Sequence, residues 1–350
     1  MILAAKCATG RRVAWAGLFT VFALLAACGR DTPEHTQVSL LGDTMGTTYH
    51  VKVVDAPDEI VAEALQLDID EMLSEINRQM STYDPDSELS RFNRNSSTDW
   101  VAVSPGLTEV VAAALRISQL TDGAFDVTVG PLVNLWGFGP KSQTNGVPAD
   151  QAVAEAHARV GYQRIQVRTS PPAIRKDRAD VDLDLSAIAK GYGVDQIAEY
   201  LEALGITNYL VEIGGELRGR GHNARGVDWT VAIEKPTPGE RLVEQVIHID
   251  SAAVATSGDY RNFFVADGLR YSHEIDPRTG RPVSHKLASV TVLTDTCMLA
   301  DAWATALLVL GPKEGLEIAE RQPLAAMLFT ATNGSFEESR TSQFDAYVKQ

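Results

Sequence analysis

The stretch Asp182-Leu183-Asp184-Leu185-Ser186-Ala187-Ile188-Ala189-Lys190-Gly191-Tyr192-Gly193-Val194-Asp195 constrains this chain more than any other. Val181 to Leu185 alternates apolar and acidic side chains, the period of a half-buried strand with Asp182 and Asp184 on one face. Ser186 is predicted to cap a following helix, with Ala187 and Ile188 in its first turn. Val194, Ile197, Ala198, Leu201 and Leu204 give that helix one apolar stripe, and Gly205 is placed to end it. The start of such a helix offers unpaired backbone N–H groups at the positive dipole end beside Lys190, a setting that suits a phosphate. Gly191 and Gly193 cost helix stability, so they imply close approach of a ligand or of another backbone. An ordinary strand–helix unit with a solvated lysine satisfies the same pattern, so both readings stay open on this stretch alone.

The N-terminus reads differently from the rest. Lys6, Arg11 and Arg12 precede an apolar run from Val13 to Ala27 that is too short to span a bilayer comfortably. A signal peptide over residues 1–27 is expected. Leu25-Ala26-Ala27-Cys28 resembles the bacterial lipoprotein cleavage box, which makes Cys28 a lipidated first residue; a plain signal peptide with a coincidental cysteine is the alternative. The residues after Arg11-Arg12 fit twin-arginine export poorly. Residues 28–39 read as a polar tether and 40–350 as the folded body. Loss of residues 1–27 removes three cations and no acid, moving the formal charge from −15 to −18. So acidic a body is a poor partner for nucleic acid. With Cys7 cleaved and Cys28 lipidated, Cys297 is the one remaining thiol, which leaves no disulfide framework and no cysteine-based zinc site.

Along the body, Tyr49, Val51 and Val53 alternate as a strand after the loop Gly42–Thr47. A helix is predicted from Pro57 to about Met80, with Ile60, Ala64, Ile69, Leu73, Ile76 and Met80 inward. Ser87 is placed to cap a short helix through Asn93, and Ser104-Pro105 to start one that Gly123 ends. Another helix is expected near Ala149–Arg159. Strand-like runs are Arg164–Arg168, Val181–Leu185, Tyr209–Ile213, Trp229–Ile233, Val246–Ile249 and Ser289–Leu293, with glycine turns at Gly214-Gly215 and Gly219–Gly221. Strands in meanders with helices between them predict an α+β fold of mixed, largely antiparallel sheets flanked by helices. No internal repeat and no second-domain linker is visible.

Three places carry candidate chemistry. The helix Met298–Leu310, ended by Gly311, is apolar on every side except for Asp301, with Thr305 one turn later on the same face. A carboxylate buried there needs a paired charge, a metal, or local backbone hydrogen bonds. A hard cation such as Mg²⁺ takes one or two carboxylates plus substrate phosphates. The loop Ser272–Pro282 holds His273, a candidate general base, with Arg278 and Arg281 able to meet phosphate or carboxylate. Aromatic residues interleaved with glycine and proline in Leu135-Trp136-Gly137-Phe138-Gly139-Pro140 can wall a planar ligand or pack a loop. No Walker loop, no Gly-x-Gly-x-x-Gly after a strand and no Gly-x-Ser-x-Gly elbow is present.

Eight ordered blocks then occur together: Met45–Tyr49, Met80–Tyr83, Phe125–Pro131, Asp184–Asp195, Glu212–Glu216, Thr256–Arg261, Ser272–Pro282 and Ala300–Thr305. From about Leu40 to the C-terminus they closely resemble the ApbE family of bacterial FAD:protein FMN transferases. The resemblance implies that FAD binds with Mg²⁺ and that a threonine hydroxyl of a target protein attacks the FMN-side phosphorus. AMP leaves, and FMN stays attached through a phosphoester bond. It further implies that Met45, Tyr83, Ala124, Phe125, Asp126, Asp184, Lys190 and Ile275 contact FAD. The backbone oxygen of Ala187, with Asp301, Ala304 and Thr305, is the implied Mg²⁺ site. Lys190 neutralises the remaining phosphate charge, and His273 helps to deprotonate the threonine. Gly193 stands where the family usually has alanine. Family analogy also implies acceptors in Na⁺-translocating NADH:quinone oxidoreductase or Rnf-type complexes, and a lipid-anchored location on the periplasmic side of the inner membrane. The same site with water as the attacking group gives an FAD pyrophosphatase, and without chemistry a flavin-binding lipoprotein.

Overall fold

Met45 and Gly46 both adopt left-handed backbone conformations (φ 49° and 74°), which closes a two-residue hairpin between the strands Gln37–Thr44 and Thr47–Val54. The computed structural model describes residues 35–140, 146–237, 242–259 and 262–348. The expected signal peptide, Cys28 and most of the tether lie outside the described residues, as do Tyr260 and Arg261. Because the first strand begins at Gln37, the end of the assigned tether and most of the expected Gly42–Thr47 loop are sheet.

Eight strands form the main sheet in the spatial order Gln37–Thr44, Thr47–Val54, Tyr209–Ile213, Glu216–Arg220, Ser251–Gly258, Leu287–Thr294, Ala325–Ala331 and Phe336–Arg340. Every neighbouring pair is antiparallel, so the α+β architecture holds with an antiparallel main sheet. Tyr49, Val51 and Val53 point together into the core, as their alternation predicts. One face carries the helices Ala62–Met80, Ala189–Ala203 and Cys297–Arg321, and the other buries Leu217, Trp229, Ile247, Phe329 and Phe344. Ser104 caps the helix Pro105–Leu120 with proline at its first position, and Ser87 caps Glu88–Arg94, accepting from Ser90 N. No helix among the described residues is long and apolar enough to cross a membrane.

The structure corrects several expectations. The first long helix begins at Ala62 rather than Pro57, because residues 57–60 close a turn through Ile60 N to Pro57 O; Leu65 is buried in place of exposed Ala64. Val181–Leu185 is extended and buries Val181, Leu183 and Leu185, but it belongs to no sheet. Its polar groups go elsewhere: the Asn93 side-chain amide bonds both Leu183 N and Leu183 O at 2.8 Å, and Asp184 N donates to Val127 O at 2.7 Å. The following helix starts at Ala189, and Ser186 does not cap it. Ser186 N and Oγ instead donate to Asp184 Oδ1 in a tight turn. The helix at Asp301 breaks at Gly311 (φ 83°, ψ 179°), as expected, and a second helical stretch continues to Arg321. Gly219 lies within a strand rather than a turn, against Ile249, while Gly214 and Gly215 both take positive φ in the predicted turn.

Two helices meet backbone to backbone. A Cβ on Gly191 would overlap the carbonyl of Cys297 and come 2.7 Å from Met298 Cα. Asp195, one turn further along, accepts from Cys297 N and Met298 N at 2.8 Å each and so caps the start of the facing helix. Gly193 differs, since the atoms nearest a Cβ there are side-chain ends: Ile213 Cδ1 (3.1 Å), Met45 Cε (3.3 Å) and Leu73 Cδ2 (3.7 Å). Gly191→Ala is therefore expected to destabilise the fold by about 1–3 kcal/mol through overpacking. Gly193→Ala is expected to stay within about 1 kcal/mol of the parent chain, because the gain in helix propensity offsets a slight shift of two flexible side chains. Urea titrations of the two variants check this; equal losses would place the tight contact elsewhere.

Candidate active site

The helix contact at Gly191 aims two side chains at the same space. Lys190 projects from the start of one helix and Asp301 from the first turns of the other, with Lys190 Nζ 3.8 Å from Asp301 Oδ1. Glu216, the first residue of its strand after the Gly214-Gly215 turn, comes closer, its Oε1 2.6 Å from Lys190 Nζ. Asp301 Oδ2 accepts from Gly191 N at 3.1 Å. Burial pushes the Glu216 carboxyl up to about 7 and raises that of Asp301 as well, with Lys190 opposing both shifts. Burial also works against charge on Lys190, but the facing carboxylates of Asp301 and Glu216 outweigh it and hold the ammonium above its ordinary value.

These residues form the floor of a cleft of about 910 Å³. That volume suits a ligand of cofactor size. Tyr83, Ala124, Phe125, Asp126, Asp184, Ala187, Lys190, His273, Ile275, Asp301 and Thr305 all line it. Two sequence candidates do not. Met45 sits in the hairpin turn and packs between the two helix-side cores, and Ala304 is fully buried behind the cleft wall. Asp126 lines the cleft but its carboxylate is committed within the chain: Oδ1 accepts from Thr128 N and Oγ1, and Oδ2 from Tyr162 N. The aromatic run divides its work. Trp136 is buried, donates from Nε1 to Gly280 O at 2.9 Å and stacks on Tyr271, whereas Phe138 lines the cleft. Arg278 and Arg281, candidates for phosphate, are paired instead with Asp276 and Glu314 and with Asp150.

His273 stands at the rim, with Phe138 edge-on to its ring. Its Nδ1 lies 2.9 Å from Asn262 O; a carbonyl can only accept, so Nδ1 carries a proton. Its Nε2 lies 3.2 Å from Glu274 Oε1, whose carboxyl burial raises. One proton shared between Nε2 and Glu274 satisfies that contact.

The ApbE family model matches residues 45–329. The chain belongs to the ApbE family. The FAD:protein FMN transferase of Vibrio cholerae is 46% identical over 333 residues, which is 95% of this chain and 99% of that one. The enzyme of the same name from Haemophilus influenzae is 47% identical, over 91% and 93% of the two chains. Among solved structures, the flavin transferase ApbE from V. cholerae superposes with a TM-score of 0.84, over 90% of this chain and all of that one. This ApbE-family chain is accordingly a transferase.

Four acids of the ApbE-family cleft carry no role from sequence reasoning, Glu212, Glu216, Glu234 and Glu274; of these, Glu216 reaches Lys190 and Glu274 reaches His273. The Gly214-Gly215 turn before Glu216 is the signal that singles it out, since consecutive glycines with positive φ turn the next side chain back over the preceding strand's end. Glu274 is marked only by its place beside His273. The donor set fits a hard cation. Glu216 Oε2 is buried with no hydrogen-bond partner, Asp301 has spare lone pairs, and Thr305 Oγ1 lies 3.1 Å from Ser257 Oγ in the same wall. All are oxygens, as Mg²⁺ requires. Lys190→Met leaves both carboxylates without their cation and is expected to cost about 2–3 kcal/mol, below the fully buried range because Lys190 keeps some exposure. Millimolar Mg²⁺ is expected to recover part of the lost melting temperature. A variant whose melting point ignores Mg²⁺ would remove the cation from this cleft.

Proposed function

We propose that this chain is a Mg²⁺-dependent FAD:protein FMN transferase that links FMN through a phosphoester bond to a threonine of an acceptor protein and releases AMP. The observation that carries this reading is the cleft floor: Lys190 between Asp301 and Glu216, beside an orphaned buried oxygen and two hydroxyls. Phosphoryl transfer depends on positioning and on neutralising charge more than on a covalent residue, and this floor is built for that.

Asp301 and Thr305, with the Ala187 backbone oxygen and the free oxygen of Glu216, are the residues that would hold Mg²⁺. Bound there, the ion supplies Lewis-acid neutralisation of diphosphate charge. Ala304, carried over by family analogy, is not used because it stands behind the wall. Lys190 meets a diphosphate oxygen from the helix start. Phe125, Phe138 and Tyr83 bound the apolar part of FAD, and Ile275 lies beside them on the cleft wall. The acceptor threonine Oγ forms the new bond to the FMN phosphorus, and the bond from that phosphorus to the bridging oxygen breaks. The bridging oxygen departs with AMP. The threonine proton passes to His273 Nε2 once Glu274, carrying the shared proton, turns away from it; the Nδ1–H bond to Asn262 O holds the ring in place. By the names of its relatives, the chain uses FAD as substrate and a protein as acceptor. Subunits of Na⁺-translocating NADH:quinone oxidoreductase or Rnf-type complexes are the proposed acceptors. A lipid on Cys28 would hold the enzyme on the periplasmic face of the inner membrane.

Incubation with FAD, Mg²⁺ and a threonine-bearing acceptor tests the reading by mass: FMN added to the acceptor supports it, free FMN with AMP indicates a pyrophosphatase, and intact FAD a carrier. Asp301→Ala is expected to abolish turnover with the fold retained; full activity would remove the metal assignment. His273→Asn is expected to slow transfer roughly 10²-fold or more while FAD still binds. An unchanged rate would mean that another group receives the proton.

A further inference from the structure

Three connections at the end of the main sheet bring two imidazoles and a carboxylate together. His35 precedes the first strand, Asp55 follows the second, and His222 follows the strand Glu216–Arg220. One ligand atom from each lies within 4.8 Å of the other two, and none of the three lines the cleft. We propose that His35, Asp55 and His222 bind a divalent late transition metal, with Zn²⁺ the representative ion, as a clip separate from the transferase site.

The chemistry of each donor supports this. His222 Nδ1 lies 3.1 Å from Asn223 O, so that nitrogen carries the proton and Nε2 keeps the lone pair a metal needs. The backbone of His222 is held in turn, its N–H donating to Asn208 Oδ1 at 3.2 Å. His35 Nδ1 is 2.6 Å from Asp55 Oδ2, while Thr36 N donates to Asp55 Oδ1 at 3.1 Å. The two imidazole centroids stand 4.7 Å apart at 52°. Asp55 takes a left-handed backbone (φ 53°), a conformation of some cost that turns its carboxylate onto His35. Gly226, also left-handed at φ 71°, lets the His222 loop lie against His35; a Cβ there would stand 3.2 Å from His35 Nε2.

Two imidazoles with one carboxylate suit Zn²⁺, Co²⁺, Ni²⁺ or Cu²⁺ and not the all-oxygen preference of Mg²⁺ or Ca²⁺. Tetrahedral bonds of about 2.0–2.1 Å place ligand atoms roughly 3.3 Å apart, so the ion draws this group inward through side-chain torsions. The side chains of His35 and Asp55 are 21% and 41% exposed, which leaves water free to complete the coordination. The clip joins the start of the sheet to a loop that follows its fourth strand, so metal binding adds to folding stability.

The test uses the untagged full chain, stripped with chelator and held in excess Mg²⁺, titrated with Zn²⁺ by calorimetry and with Co²⁺ by its visible ligand-field bands. One Zn²⁺ per chain is expected, together with a higher melting temperature and tetrahedral Co²⁺ bands. His222→Gln and Asp55→Asn, two variants of similar shape, are each expected to weaken Zn²⁺ binding by at least about tenfold. Both are expected to keep FMN transfer, which reports that they fold. Zn²⁺ binding unaltered in both variants, or absent from the parent chain, overturns the proposal. So does binding lost in Asp301→Ala and kept in His222→Gln, which would put the ion in the cleft.

Discussion

The absence of a side chain at Gly191 is the constraint on which this molecule depends. It lets the backbone of one helix rest on the first residues of another, where any Cβ would overlap a carbonyl. Asp195 locks the approach by capping the second helix with both carboxylate oxygens and by pairing with Arg218 at 3.0 Å. Burial pushes the Asp195 carboxyl above its ordinary range, and the capping bonds, together with Arg218, oppose that shift. The contact is structural, yet it sets the chemistry. Lys190 precedes Gly191 by one residue and Asp301 follows Cys297 by one turn, so the two charges can face each other only while the backbones touch.

From that junction the cleft acquires its electrostatic character. Two buried acids and one lysine share the floor, with one carboxylate oxygen left unpaired. Such an arrangement lacks positive charge, and a divalent cation with the phosphates it brings meets that need better than water can. Rigid elements surround it: the floor rests on helix starts and a strand start, while the aromatic and histidine side chains of the rim come from short loops and hairpins. A rigid charged floor with a more adaptable rim suits a reaction in which the diphosphate must be held and a protein chain must enter.

Several side chains that look available are already in use. Asp126 spends its carboxylate on Thr128 and Tyr162, and Asp184 shapes the turn through Ser186. Arg278 and Arg281 hold surface acids. Thr128, Ser186 and Asp276 each lie two residues from the group they hold, but Tyr162, Glu314 and Asp150 are distant in sequence, and residue type alone cannot reveal those partners. Val181–Leu185 shows the principle for the backbone. Its alternation is realised as burial, but Asn93, about ninety residues away in the chain, takes the bonds that a neighbouring strand would have taken.

Local rules were legible wherever a short-range interaction decides the outcome. The Ser87 and Ser104-Pro105 caps, the alternation at Tyr49–Val53, the break at Gly311, the positive-φ turn at Gly214-Gly215 and the membership in the ApbE family are all written in adjacent residues or in ordered blocks of them. The amino-acid sequence by itself thus determined most kinds of element, the demand for close approach at Gly191 and eleven of the residues that line the cleft. Only the tertiary structure decided that Glu216 joins Lys190 and Asp301, that Met45 and Ala304 stand back from the cleft, and that His35, Asp55 and His222 meet. Those outcomes depend on sheet order and helix crossing, which bring together groups separated by up to nearly two hundred residues, and no local pattern encodes such distances.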